Sequence, residues 1–150
     1  MNHLKRHTII PAVYIIFRDG NKVFLLRRFQ TGWRDGEYTF PSGHLDGKES
    51  LKQAAVREVQ EEVGVSVEPK DLKLVHVTHH IADEGDHERM DFYFEVGSYD
   101  GTLKNNEPHK CDDVGWFDLD NLPEKIIPTM RESLPGILQE QNYTDFTFDS

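Results

Sequence analysis

The order of apolar and polar residues along the chain predicts a protein that mixes strands with helices. The apolar, β-rich runs 8–17 and 22–28 flank the turn residues Asp19-Gly20-Asn21, which predicts a β-hairpin. Further strands are predicted over 38–40, 72–80, 90–96 and 113–119, with a turn over 41–43 and polar connections over 29–37, 82–88 and 101–108. This succession, without a regular βαβ rhythm, predicts a mixed sheet covered by helices.

Two segments carry the features of helices. Ser50 and Gln53 have the spacing of a capping box, an apolar stripe follows at three-to-four spacing, and Gly64 stands where a left-handed cap is favoured. A helix is therefore predicted over 50–63. A second helix is predicted over 127–141, with a kink or break at Pro135. We expect the tail, 142–150, to be loosely packed.

Length and composition indicate the class of protein. The 150 residues are expected to form one domain, 1–150, which is long enough to bury roughly two thirds of its unfolded surface. No apolar run approaches the length of a membrane span, and the polar start interrupted by Pro11 argues against a signal peptide. One cysteine excludes an internal disulfide and favours a reducing, cytoplasmic setting.

The formal charge of −10 bears on the partners. Proteins that bind polymeric nucleic acid normally carry basic stripes, so a nucleic acid polymer is not expected as a partner. A membrane is not expected either, because no apolar run is long enough to span one. A small polyphosphate remains compatible, because it can be neutralised locally by a cation that it brings with it.

An acidic run on the first predicted helix is the most distinctive feature of the chain. Glu58 stands one turn before Glu61 and Glu62, so the three carboxylates project toward one region. Two carboxylates about 6 Å apart repel each other by roughly 3 kcal/mol at an effective dielectric constant of about 20. Hard oxygen ligands of this kind suit Mg²⁺ or Mn²⁺, whereas the common alternative for a glutamate run is a solvated helix face.

Arg57 precedes these acids, and Glu49 lies just before the helix. The ordinary interpretation of this pair is a surface ion pair worth about 0 to 1 kcal/mol. We favour a supporting role, in which Arg57 holds a coordinating carboxylate in its orientation.

Gly43, five residues, Glu49, seven residues and then Arg57 to Val65 form a pattern that resembles the Nudix box at every defining position. The resemblance implies an α/β fold, with a mixed sheet in an α/β/α sandwich. It also implies a metal-dependent hydrolase of nucleoside diphosphates linked to a further group, in which water attacks a phosphorus of the pyrophosphate.

The same resemblance implies roles for individual residues. The implied metal ligands are Glu58, Glu61, Glu62 and the carbonyl of Ser42, which replaces the usual glycine. One of the three glutamates, with Glu58 favoured, would also be the base for the attacking water. Glu107 resembles an additional ligand or base of some family members, with an ordinary surface charge as the alternative. The expected catalytic residues are Glu58, Glu61 and Arg57, and the expected cofactor is Mg²⁺ or Mn²⁺.

Residues that bind the substrate are less constrained by pattern. Arg27 and Arg28, at the end of the second strand, are candidates for phosphate contacts, although arginines at strand ends are commonly solvated. Phe40 and Phe92 are candidates to flank a nucleobase, although aromatic residues on strands commonly belong to the core.

Two histidines, one tryptophan and the cysteine are not expected to take part in the chemistry of the site. His79 and His80 are adjacent on a predicted strand and point to opposite faces, so we expect one of them to line a cleft rather than both to bind one metal. Trp116 is expected to be a packing residue. Cys111, beside two aspartates that would raise the pKa of its thiol, is expected to be inert.

The absence of secondary marks of Nudix subfamilies downstream of the box favours a nucleoside triphosphate, canonical or oxidised, cleaved to monophosphate and pyrophosphate. ADP-ribose or a dinucleoside polyphosphate is the alternative substrate. Two other function classes are a non-catalytic nucleotide-sensing module and an isopentenyl diphosphate isomerase, which would need a reactive cysteine or acid aimed at carbon. The oligomeric state, a homodimer included, is left open by the sequence.

Overall fold

A computed structural model describes residues 6–82 and 88–148 of the chain. Its strands are β1 Ile10–Ile16, β2 Arg18–Asp19, β3 Lys22–Arg28, β4 Tyr38–Thr39, β5 Ser42–His44, β6 Leu72–Ala82, β7 Arg89–Val96, β8 Cys111–Asp118 and β9 Tyr143–Phe148. The helices are α1 Leu51–Val63 and α2 Pro128–Leu138, and a 3₁₀ turn occupies Pro69–Asp71.

The strands form two sheets. The larger has five strands in the order β5-β1-β7-β6-β9, in which β1 runs parallel to β7 and β6 runs parallel to β9. The smaller is built on β3, which pairs with β8 along its length and with β2 and β4 at its two ends. The larger sheet has both parallel and antiparallel pairs, so the predicted mixed sheet is confirmed.

Strand β1 separates two hydrophobic cores. Successive side chains of a strand point to opposite faces, and accordingly Val13 and Ile15 pack with the buried side of α1, whereas Tyr14 and Ile16 pack with that of α2. The larger sheet therefore has a helix on each face. This is the α/β/α arrangement that the resemblance implied.

Helix α1 begins and ends where its sequence predicts. The Ser50 hydroxyl accepts a hydrogen bond from the Gln53 backbone N–H at 3.0 Å, and the Gln53 side chain accepts one from the Ser50 N–H at 2.8 Å. At the other end Gly64 has a φ of 72°, a left-handed conformation that glycine adopts without strain. The predicted capping box and the C-terminal cap are both confirmed.

Three expectations need correction. The segment expected to turn at 41–43 contains β5, because Ser42–His44 pairs with β1. Helix α2 passes through Pro135 and ends at Leu138 without a break. The carbonyl that loses its donor belongs to Arg131, which is exposed, so it can face water. The tail expected to be loosely packed is wrong for β9, which pairs with β6 over six residues.

The predicted loop 82–88 lies largely outside the described residues. None of the helices described here is long and apolar enough to cross a membrane.

Candidate active site

A cleft of about 700 Å³ opens between the two sheets and α1. Its acidic side chains are Glu58, Glu61, Glu62 and Glu107, and its cationic ones include Arg28 and Arg89. Four of the five residues that the resemblance implied as metal ligands therefore face one space with their carboxylates, and Ser42 lines the same wall.

Pairing of the strands orders the cleft along β1. Arg89 lies opposite Ile10 in the β1–β7 register, whereas Ser42 lies opposite Tyr14 in the β1–β5 register. Four residues of a strand span about 13 Å. The cleft thus has an acidic end, near Ser42, and a second end, near Arg89.

Glu62 and Glu58 are withdrawn from solvent at the acidic end. The Ser42 backbone N–H donates to Glu62 Oε2 at 2.9 Å. Burial, followed by repulsion from Glu58, raises the pKa of Glu62 well above its ordinary value. Burial also raises the pKa of Glu58, against the opposing effect of a hydrogen bond from Arg57. The ionised form of both carboxyls is therefore disfavoured, because their protein surroundings only partly neutralise a negative charge there.

Arg57 links the acids to the loop before α1. Its Nη1 donates to Glu58 Oε1 at 2.7 Å, while its Nη2 donates to Glu49 Oε1 at 2.9 Å and to the His44 carbonyl at 3.2 Å. Its Nε donates to the other Glu49 oxygen at 3.3 Å. The guanidinium lowers the pKa of Glu49 and so keeps this carboxylate ionised. A two-pronged contact of this kind fixes orientation as well as charge.

Gly43 provides the space that Glu58 occupies. A Cβ built on Gly43 would lie 2.1 Å from Glu58 Cδ and 2.3 Å from its Oε1. These separations are far below van der Waals contact, so only glycine at this position permits the observed place of the Glu58 carboxylate.

As the side chains stand, no three His, Cys, Asp or Glu residues within 6–82 and 88–148 are arranged to hold a metal ion. One oxygen of Glu58 accepts from Arg57, and one of Glu62 accepts from Ser42. The donor set nevertheless fits a hard divalent cation, because four glutamates line one cleft and hydrogen bonds orient the carboxylates of Glu58 and Glu62.

Of the four residues predicted to contact the substrate, one lines the cleft and three do not. Arg28 lines the cleft, as expected of a phosphate-binding residue. Arg27 instead donates to Asp112 at 2.7 Å and does not line the cleft. Phe40 is fully buried in the core beneath α2, and Phe92 packs against the core beneath α1. Neither phenylalanine lines the cleft, and both pack in the way that aromatic residues on strands commonly do.

The histidines behave as their alternation predicts. His80 lines the cleft, whereas His79 bonds to Glu88 outside it. Trp116 has an edge contact with Phe24, with ring centroids 5.6 Å apart, but 38% of it is exposed, so its packing is partial.

Cys111 lies in the cleft wall although it is remote from the acidic run in sequence. Its thiol is buried and donates to the Asp113 carbonyl at 3.2 Å. Burial raises the pKa of this thiol, with Asp112 adding to the effect. The group is thus poorly suited to act as a nucleophile.

Trp33 and Arg89 line the cleft and were not anticipated. Arg28 lies over the Trp33 ring at 4.8 Å from its centroid, and Arg89 lies over it at 5.3 Å. The available signal for Trp33 was its type: a large aromatic residue in the polar loop 29–37 has no core to join and is often functional. Arg89 gave no comparable signal.

Comparison with known proteins bears directly on this site. The family model described as NUDIX domain matches residues 8–137. An NAD-capped RNA hydrolase of Stutzerimonas stutzeri is 31% identical over 134 residues, which are 87% of this chain and 43% of that protein. An ADP-ribose pyrophosphatase of Methanocaldococcus jannaschii is 31% identical over 125 residues, 78% of this chain and 71% of that protein.

A solved structure with the same fold is the MutT NUDIX hydrolase from Burkholderia pseudomallei. It superposes with a TM-score of 0.78 at 23% identity, covering 86% of this chain and 98% of that one. The chain spans less than half the length of the NAD-capped RNA hydrolases that it matches. With the acidic cleft, the uninterrupted box pattern and a family match over most of its length, the chain belongs to the NUDIX family.

Proposed function

We propose that this chain is a divalent-metal-dependent hydrolase of a pyrophosphate bond in a nucleotide derivative. The proposed substrate is a nucleoside triphosphate, cleaved to the monophosphate and pyrophosphate. The observation that carries the proposal is the meeting of Glu58, Glu61, Glu62 and Glu107 in one cleft with a basic residue, Arg28, beside them. Such a site suits an anionic substrate that arrives with its own cation.

The acidic end would hold Mg²⁺ or Mn²⁺ through Glu58, Glu61, Glu62, Glu107 and the Ser42 carbonyl. When bound, the cation would neutralise the diphosphate and lower the pKa of a coordinated water. Without it, the buried negative charge of Glu58 and Glu62 has no sufficient counter-charge, as the raised pKa of each carboxyl indicates.

In this proposal Glu58 takes the proton from the attacking water. A raised pKa suits that role, because it makes the carboxylate a stronger base than an exposed glutamate. Arg57 holds the carboxylate in place through the 2.7 Å hydrogen bond to Oε1 and is itself anchored by Glu49. Arg28 is available to contact a phosphate oxygen, since its guanidinium faces the same cleft.

The named relatives support hydrolysis of nucleotide pyrophosphates and favour one alternative substrate. The archaeal relative named ADP-ribose pyrophosphatase aligns with most of this chain and most of its own length. ADP-ribose is therefore the second candidate substrate. The same acidic end would serve both substrates, because each contains a pyrophosphate.

The test is a panel of nucleoside triphosphates, oxidised dGTP, ADP-ribose, NADH and diadenosine polyphosphates, each incubated with Mg²⁺ and analysed for products by mass. A capped or 5′-triphosphate RNA oligonucleotide checks the expectation that a nucleic acid polymer is not a substrate. The Glu58→Gln and Glu61→Gln variants are the controls, since each keeps the side-chain size and removes one charge.

Conversion of one triphosphate to a monophosphate and pyrophosphate, lost in both variants, is the expected result. Activity confined to ADP-ribose would replace the proposed substrate and keep the site. A panel without products above the two variants would overturn the proposed activity and favour a nucleotide-sensing module.

A further inference from the structure

We propose that Trp33 is the platform on which the base of the nucleotide stacks, and that Arg28 and Arg89 hold this platform in place. The inference rests on the proposed function, because it assigns to the second end of the cleft the part of the substrate that the acidic end does not bind. It names a specificity-determining residue outside the box pattern, 43–65.

Distance along the sheet supports this assignment. The acidic residues lie near Ser42, which pairs with Tyr14 of β1. Trp33 instead contacts Arg89, which pairs with Ile10 of the same strand. The two positions on β1 are about 13 Å apart. A nucleotide with its phosphates among the acids therefore has its sugar and base directed along β1 toward Trp33. Arg28 contacts Trp33 and also lies within electrostatic reach of Glu62, so it bridges the two ends.

The loop that carries Trp33 is already ordered by hydrogen bonds. Arg28 Nε donates to the Trp33 carbonyl at 2.7 Å, and the Thr31 hydroxyl donates to the same carbonyl at 3.0 Å. The Asp35 carboxylate accepts from the backbone N–H groups of Thr31 and Gly32, each at 3.0 Å. A surface ordered in this way loses little conformational entropy when a ligand binds.

The Trp33 side chain itself has the properties of a binding surface. It is 36% exposed and lines the cleft, whereas Trp116, which is 38% exposed, does not line it. Two guanidinium groups lie against its ring, and guanidinium planes, like indoles, stack on nucleobases. Arg89 is fixed in turn by a 2.6 Å hydrogen bond between its Nη2 and His80 Nδ1.

The chain offers a matched control, because it contains two tryptophans, Trp33 and Trp116. Trp116 lies on β8 against Phe24 and does not line the cleft. The Trp116→Phe variant therefore leaves Trp33 as the sole indole, and Trp33→Phe leaves Trp116. Each is titrated, with Mg²⁺ present, with a methylene-bridged nucleoside triphosphate that resists hydrolysis and separately with inorganic tripolyphosphate, which has no base.

Quenching of Trp33 emission by the nucleotide analogue, with little change on adding tripolyphosphate, is the expected result. The Trp116 signal in the Trp33→Phe variant should stay nearly constant with both ligands. Two results would overturn the proposed role of Trp33. One is an equal change of Trp33 fluorescence with both ligands, and the other is no change with a nucleotide that the panel shows to be hydrolysed.

Kinetics supply a second readout. Stacking of a base on an aromatic side chain is worth about 1–3 kcal/mol, which corresponds to a rise of roughly 5- to 150-fold in KM for Trp33→Leu. Trp33→Phe retains an aromatic face and should stay within a few-fold of the wild type. Inhibition by tripolyphosphate should be unaltered in Trp33→Leu, because that ligand needs only the acidic end.

The two proposals fail in different ways. Nucleotide-dependent quenching without turnover by the wild type would reject the hydrolase and retain the platform. Turnover with equal kinetic constants for the wild type and Trp33→Leu would retain the hydrolase and reject the platform. A protein that neither binds nor hydrolyses nucleotides would reject both.

Discussion

Replacement of Gly43 by alanine tests the geometry of the acidic end with a single methyl group. The new Cβ would lie 2.1 Å from Glu58 Cδ, whereas fewer than one in ten real Cβ contacts are closer than 3.4 Å. Glu58 Cδ must therefore retreat by about 1.3 Å, the difference between these two distances, to reach ordinary contact. The backbone at Gly43 belongs to β5 and has no positive φ, so alanine is not strained there by conformation.

The expected effect falls on activity more than on stability. The crowded atoms belong to the end of a glutamate side chain, which can rotate away at modest cost, so the loss in free energy of unfolding should be about 1 kcal/mol. That rotation breaks the hydrogen bond from Arg57 and moves the proposed base. A displacement of about 1 Å at a reacting group can lower a rate by about 100-fold, so kcat of Gly43→Ala should fall by about that factor.

The assay compares kcat on the best substrate of the panel with the free energy of unfolding from urea titration. Gly115→Ala is the matched control: it also lies on a strand without a positive φ, and its nearest neighbour to a new Cβ is 3.7 Å away. The control should retain nearly full activity. If Gly43→Ala were folded and within twofold of the wild type in kcat, the position of Glu58 would not matter to the reaction and the proposed base would have to be sought elsewhere.

Three further changes have definite expectations. Arg57→Lys loses the two-pronged contact with Glu49, so activity should fall by about 10- to 100-fold and the Mg²⁺ concentration for half-maximal rate should rise; an unchanged Mg²⁺ titration would contradict the supporting role. Burial raises the pKa of Asp91 to about 6 from 3.8, so the folded protein binds this proton more tightly than the unfolded chain does, and stability should fall by about 3 kcal/mol between about pH 4 and pH 6. In urea titrations, the free energy of unfolding of Asp91→Asn should lack the part of the fall that Asp91 causes between about pH 4 and pH 6. If the wild type and the variant lost stability in parallel over this range, Asp91 would not be its cause. Ser50→Ala removes the cap of α1 and should cost about 1 kcal/mol of unfolding free energy, measured in urea, while kcat stays near that of the wild type.

Local signals explain why α1 was predictable to within a residue. Its start depends on Ser50 and Gln53, three residues apart, and its end on Gly64, whose left-handed φ the sequence pattern anticipates. Its buried residues, Ala54, Ala55, Val59 and Val63, follow from helical periodicity alone. Each of these features is contained within a few residues of chain, so no knowledge of the remainder is needed.

Strands whose existence depends on distant partners were missed. Segment β9 is rich in β-formers, Tyr-Thr-Asp-Phe-Thr-Phe, but its order comes from pairing with β6 some sixty residues earlier and from the stacking of Phe146 on His80, with ring centroids 4.6 Å apart. Likewise β5 has three residues and exists because β1 offers it an edge. Single-sequence patterns do not reveal such partners, because register and sheet order are properties of the whole fold.

Arg27 and Arg28 show that the sequence alone also does not reveal which of two neighbouring side chains faces the cleft. They are neighbours of the same type, yet alternation along β3 directs Arg28 to the cleft and Arg27 to Asp112 on β8. Only the register of the strand decides which of them can meet a phosphate.

The two ends of the cleft therefore differ in how they are encoded. Apart from Glu107, the acidic end is helix α1 with β5 and the loop before the helix, so spacing in the sequence determines most of its geometry. The end near Trp33 draws on the loop after β3 and on β6 and β7, segments that only the order of the sheets brings together. A change at Trp33 or Arg89 can alter what is bound there without touching Glu58 or Arg57. This separation would allow the bound group to change while the box stays the same, and two relatives of this chain do carry the names of different substrates.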